Sequence, residues 1–239
     1  MISRRLFLLW CAAFGLFQSR RCLQAATESD EDFVCLLCKT KFSATLDSSG
    51  TTSGRRLDLK PLGSIRAPWR LPVCPKCRFV QYQDANKFSQ EELKALREFV
   101  FSAAYARLSP EETSHFLLGK IYEHLKRPSI EVAHTYLAAS WQVDRDAKRH
   151  QAYLKHSLEQ FTIYLTGTPP KDEAWKTARF VQGELLRQLQ RFDEAQRHFR
   201  AMEKEEHFKA KPFPQLLSYE LELIEKKDPS LREMPRLNR

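Results

Sequence analysis

Four cysteines stand in the sequence as two pairs, Cys35-x2-Cys38 and Cys74-x2-Cys77, with 35 residues between the pairs. A two-residue spacer lets one tight turn aim two thiolates at a single ion. Two such turns on hairpin tips complete the tetrahedral sulfur shell that Zn2+ prefers. The spacing therefore predicts a zinc-ribbon-like head with Cys35, Cys38, Cys74 and Cys77 as metal ligands. With thiolates in all four positions, none is left for a substrate, so the ion would be structural. Three other uses of the same residues stay open. Disulfides are one, although a bond across a two-residue spacer is strained. A redox dithiol is another, and needs a strand–turn–helix setting. An iron site would take the same four ligands. Lys39, Lys41, Lys76 and Arg78 surround the pairs and would offset the negative charge of bound thiolates.

Other chemistry has no comparable signature. The chain carries no nucleophile elbow, phosphate-cradling glycine loop, dinucleotide fingerprint or paired-histidine zinc helix. Its seven histidines are scattered; His150 and His156 are six apart, off ligand spacing on a helix, and His115, His124 and His134 are expected to pack at helix edges or face water. Asp144, Asp146, Glu111 and Glu112 read as caps and solvated faces rather than acid–base pairs. The expectation is a protein with no catalytic residues.

The elements that must position the cysteines are short. Phe33-Val34 and Leu71-Pro72-Val73 look like strands leading into the two turns, with Phe42 and Phe79 placed to pack beneath them. Between the pairs, Asp47-Ser48-Ser49-Gly50-Thr51-Thr52-Ser53-Gly54 is a loop by composition. Arg55, Arg56, Arg66, Trp69 and Arg70 follow. They would form either a basic, aromatic surface for an anion or nucleic acid, or a solvated rim around one packed tryptophan.

From residue 89 the pattern becomes helical. Ser89 with Glu92 reads as a capping box, with Phe88 and Leu93 set for a hydrophobic staple. Ser109-Pro110-Glu111-Glu112 reads as a second helix start. Leu117, Ile121, Tyr122 and Leu125 share one face, as do Leu154, Leu158, Phe161 and Leu165 of a longer helix ended by Gly167–Pro170. Between Lys176 and Lys209, Gly183, Leu186, Ala195, Phe199 and Met202 have the spacing of a tetratricopeptide repeat, in which small residues let paired helices approach while aromatics fill the gap. A weaker copy reads Leu118-Gly119, Tyr122, Ala133, Leu137 and Ser140, with about two extra residues at the turn near Pro128. Trp141 or Trp175 would cap neighbouring interfaces, and helices over Ala147–Leu165 and Pro214–Lys227 would complete the stack.

This combination of paired-cysteine head, long insert, second pair and repeat-like tail resembles a conserved bacterial family of unknown function. The resemblance covers roughly residues 33–227 and rests on Cys35, Cys38, Phe42, Cys74, Pro75, Cys77 and the segment from Gly183 to Phe199. It implies a zinc-bound head on a helical repeat and carries no activity with it. Here Leu36 stands where proline is usual, and Lys39 and Arg78 stand where the family's turns commonly hold glycine.

The fold class expected is mainly α, a small zinc-ribbon-like β head followed by a tetratricopeptide-like helical tail. At 42% apolar and 29% charged, the composition is that of a globular protein. Of the net charge of +9, Arg4, Arg5, Arg20 and Arg21 contribute four in a stretch with no acid, which leaves a modest +5 and weak grounds for nucleic acid. The start reads as an export signal: Arg4 and Arg5 precede an apolar run from Leu6 to Phe17, too short to span a bilayer, then small residues near Ala26. Ser3-Arg4-Arg5-Leu6-Phe7-Leu8 resembles the twin-arginine motif, which carries folded proteins and would let the metal load in a reducing compartment. Cys11 and Cys22 fall within this segment. The expected organisation is a signal over 1–26, a head over 27–88, a helical domain over 89–228 and a flexible tail over 229–239. The protein would be exported to the periplasm, or else remain cytoplasmic or anchored by its N-terminus, with no stable membrane span once the signal is removed. The expected function is a zinc-stabilised scaffold whose helical tail binds a protein or peptide; the alternative is a nucleic-acid-binding module using the basic head.

Overall fold

The computed structural model describes residues 26–168 and 173–236; the expected export signal, apart from Ala26, lies outside them. The chain opens with a hairpin of β1 (Thr27–Val34) and β2 (Lys41–Ser49), antiparallel with Phe33 opposite Phe42. The first cysteine pair sits on its tip. Phe33 and Phe42 stack at 5.6 Å, and Ser43 and Thr45 donate to Asp32 and Asp30 across the strands. A second, shorter hairpin joins β3 (Thr52–Arg55) to β4 (Pro61–Gly63). The stretch 47–54, expected as a loop, is therefore mostly strand. Backbone pairing and Asp47, buried under Arg66 and Arg70, override its turn-like composition.

Helices follow to the end of the chain: α1 (Gln90–Val100), α2 (Ala103–Ala106), α3 (Ser114–His124), α4 (Ser129–Gln142), α5 (Ala147–Gly167), α6 (Glu173–Gln188), α7 (Phe192–Met202) and α8 (Phe213–Glu225). A small β head followed by a helical tail is thus the architecture. The capping box of α1 forms as expected, with Ser89 and Glu92 bonding each other's backbone N–H. The second start signal is displaced. Ser109–Glu112 closes a turn, and α3 begins at Ser114 with Thr113 as its cap. Glu112 instead accepts a hydrogen bond from the Tyr153 hydroxyl. Asp146 caps α5 as expected, by accepting from Arg149 N–H. No helix among the described residues is long and apolar enough to cross a membrane.

Two glycines explain how closely the helices pair. A Cβ on Gly183 of α6 would lie 2.4 Å from the Phe199 ring of α7, and one on Gly119 of α3 would lie 2.5 Å from the Tyr136 ring of α4. Both hairpins thus seat a ring on a bare backbone. The α4 register expected for the weaker copy is corrected by one residue. Val132, Tyr136 and Ala139 face α3 in a cluster with Phe116, while Ala133 and Leu137 turn to the core shared with α5. Ser157 of α5 donates to the Ala133 carbonyl, which anchors that second face. The α4 helix is buried on two sides, so its composition offered two apolar stripes and only packing chose between them.

The cores cut across the expected domain limits. One cluster contains Cys35, Leu37, Cys74, Phe79 and Val80 from the head with Leu96, Tyr105, Leu117 and Ile121 from the helices. Another runs from α4 to α8 and includes Leu57 of the insert. Of the stretch 229–239 expected as a flexible tail, the described residues 229–236 contribute an ordered strap: Leu57 N–H donates to Arg232 O and Met234 N–H to Arg55 O.

Candidate metal centre

Each cysteine pair lies in a turn of the same construction. In the first, Cys35 N–H donates to Thr40 O and Lys39 N–H to Cys35 O; in the second, Cys74 N–H donates to Phe79 O and Arg78 N–H to Cys74 O, all at 2.8–3.0 Å. Lys39 and Arg78 both adopt φ of 61°. Both are positions where the resemblance implies glycine, and the left-handed backbone would favour it, since a Cβ costs about 1–2 kcal/mol there.

Facing each other, the two turns bring their sulfurs together. Cys35 Sγ lies 3.6 Å from Cys77 Sγ and Cys38 Sγ lies 3.5 Å from Cys74 Sγ. All four sulfurs are within 4.8 Å of one another. Tetrahedral Zn–S bonds of about 2.3 Å place sulfurs about 3.8 Å apart, whereas a disulfide needs about 2.05 Å. The cluster is compatible with a metal ion, and its cysteines are unbonded to each other. The donor set, four soft sulfurs with Cys35 and Cys74 buried, fits a closed structural site.

Electrostatics divides the thiols. Burial pushes Cys35 and Cys77 up, opposing ionisation. At Cys38 burial acts in the same sense, but hydrogen bonding with the Thr40 side chain, whose hydroxyl oxygen accepts from the thiol at 3.2 Å, and with the Thr40 backbone outweighs it and brings the thiol down to about 6. Four thiolates at this spacing would repel one another, and a bound cation would offset their charge.

Helices lock the turns from behind, through residues for which sequence spacing carried no signal. Arg97 of α1 donates to Leu37 O at 2.8 Å, inside the first turn. Tyr105 of α2 donates to Arg78 O at 2.8 Å. The Arg78 guanidinium reaches Leu108 O at 2.9 Å and Ser109 O as well. Of the residues expected to pack beneath the turns, Phe79 is buried and Phe42 is half-buried against Phe33.

Of the residues named for a basic surface, Arg55 is exposed and three other arginines are in ion pairs. Arg56 is 6% exposed and paired with Asp58 and Asp144. Arg66 and Arg70 are spent on Asp47 and Glu28. Trp69 remains half exposed. Asp144, expected on a solvated face, is instead the meeting point of Arg56 and Lys60. Among the histidines, burial lowers His115 to about 4, and His124 stacks on Phe99 at 4.4 Å.

Residues 29–218 match the model of a family described as an uncharacterized protein conserved in bacteria, DUF2225. The chain belongs to this family. The match spans both cysteine pairs and the helices from α1 into α8. No curated protein and no solved structure is significantly similar to the chain.

Proposed function

We propose that the protein is a zinc-stabilised interaction scaffold, in which Cys35, Cys38, Cys74 and Cys77 hold one structural Zn2+ and the tetratricopeptide-like helices hold a protein or peptide partner. The observation that carries the metal half is the convergence of four sulfurs from two matched turns into a single cluster, with Cys35 and Cys74 buried and Cys38 and Cys77 partly so. The ion would supply charge neutralisation and a cross-link between two hairpin tips, and no chemical step. The repeat reading is supported by the two ring-on-glycine hairpins, α3–α4 and α6–α7. Partner binding is supported by a cavity of about 440 Å³ across α5, α6 and α7, lined by Thr162, Arg179, Gln182, Arg197 and His198 among others. A polar, arginine-bearing groove of this kind suits a peptide segment better than a small apolar ligand.

Export by the twin-arginine route belongs to the same reading, supported by Arg4-Arg5 before the apolar run. The nucleic-acid alternative would use the basic head, where Arg56, Arg66 and Arg70 stand in ion pairs and Arg55 is exposed. Elemental analysis of the purified full chain, beside thiol titration before and after denaturation, tests the metal half. One zinc per chain with four thiols released on chelation is expected; metal-free protein with cysteines oxidised to each other would sink it. For the partner half, a photo-crosslinking residue at Gln182 should yield a discrete adduct in the native host, and the same residue at Lys94 should not. Equal labelling at both positions would remove the groove from the proposal.

A further inference from the structure

Between α6, α8 and the C-terminal strap lies a second charged cluster, fully enclosed, on helices that pack in a different core from the cysteines. Glu184, Arg187 and Glu220 are each 0% exposed. Arg187 grips Glu184 with two bonds of 2.8 Å and shares Nε with Glu220 at 3.0 Å. Its remaining nitrogen, Nη1, reaches forward to the strap, donating to Asp228 O at 2.5 Å and Ser230 O at 3.1 Å. Those two carbonyls begin the segment that pairs with the insert through Arg232 O and Met234 N–H.

The charges in this cluster do not balance. The charged groups facing the pair are Arg187 from α6, Asp58 from the insert and Asp228 from the strap. Asp58 is answered by Arg56, and Asp228 by Arg232 and the Ser230 N–H and hydroxyl. Arg187 alone remains for two carboxylates. If both were ionised, one negative charge would sit unmatched out of reach of water, which proteins avoid by taking up a proton. Glu220 Oε1 is the atom that shows it, because it is buried and receives no hydrogen bond.

We propose that Glu184 and Glu220 hold one proton between them, and that this proton locks the C-terminal strap by leaving Arg187 matched to a single negative charge and free to hold Asp228 and Ser230. When the strap opens, water enters, both carboxyls ionise and the proton is released. Burial, with Asp58 raising Glu184 and Glu184 raising Glu220, supports the direction: it outweighs Arg187 and the Gln188 hydrogen bond, so Glu184 is pushed up to about 7 and Glu220 well above the ordinary carboxylate range. A group raised in the closed state favours closure fully below its ordinary value, and the advantage fades as pH climbs toward the raised one. The strap therefore loosens with rising pH and tightens in acid.

Hydrogen exchange of the full chain, read by mass spectrometry in peptides covering 54–60 and 228–236, measures the opening directly. After correction for base catalysis, the opening constant should rise by up to about tenfold per pH unit between about pH 5 and 8 in the wild type, the signature of one released proton. In Glu220→Gln, and separately in Glu184→Gln, Arg187 faces a single carboxylate and the slope should vanish. A slope unchanged in both variants, or absent in the wild type, overturns the proposal. Should neither variant fold, infrared spectra of the wild type decide: a carboxylic-acid C=O band that survives at about pH 7 supports a trapped proton, and its absence refutes it.

Discussion

At the scale of single residues, the cost of each special backbone position depends on what its side chain does afterwards. Lys39 and Arg78 share a left-handed backbone, but only Arg78 has a task there, bonding Leu108 and Ser109 carbonyls. Lys39→Gly should therefore stabilise the protein by about 1 kcal/mol, while Arg78→Gly relieves the same strain and loses charge-assisted bonds worth about as much or more. Denaturant unfolding of the two variants at constant zinc should show opposite signs, or a gain for Lys39→Gly alone. Gly183 poses the reverse problem, since an added methyl meets the Phe199 ring at 2.4 Å. Gly183→Ala should cost about 1–3 kcal/mol by overpacking, and a second change, Phe199→Leu, should recover part of the loss. Additive losses in that cycle would mean that ring and glycine do not meet.

At the scale of elements, local signals succeeded where one side chain and a nearby N–H were the whole story. The Ser89 capping box needs only residues 89–92, and it forms as read. Ser109-Pro110-Glu111-Glu112 presents a stronger local pattern than Thr113, yet Thr113 is the cap. The Tyr153 hydroxyl, forty-one positions away, holds Glu112 in a turn instead. Thr113→Ala should cost about 1 kcal/mol of stability, a typical value for losing a helix cap, and Ser109→Ala much less. Thermal melts that rank the two the other way would restore the earlier helix start. Strands β2 and β3 teach the same lesson. Their Ser, Thr and Gly content reads as loop, and cross-strand bonds from Ser43 and Thr45 with the Asp47–Arg70 pairing make it sheet.

For the molecule as a whole, the shared cores decide what fails together. The cysteine turns pack in one cluster with α1, α2 and α3, whereas the insert's Leu57 packs with α4 to α8. Chelating the metal, or replacing Cys74 with alanine, should therefore expose amides in α1–α3 along with the turns, because the cross-link and that core are one cooperative unit. Protection should persist in α6–α8. Hydrogen exchange confined to residues 33–80 would instead mark the head as an independent domain.

The sequence alone determined the features that live within a few residues. Cysteine spacing specified two matched turns, apolar periodicity specified the helices, and glycine with an aromatic sixteen positions on specified the α6–α7 contact. Each follows from turn geometry or the helical period, which are properties of short chain segments. Tertiary structure decided what depends on distant partners. It chose which stripe of α4 faces α3, and it set Arg56, Arg66 and Arg70 in ion pairs with partners that their spacing does not reveal. It also buried Glu184, Arg187 and Glu220 together, from positions that look like ordinary helix-surface residues. A charge in a sequence carries no label for water or protein. Burial assigns it, and burial is a property of the whole packed chain.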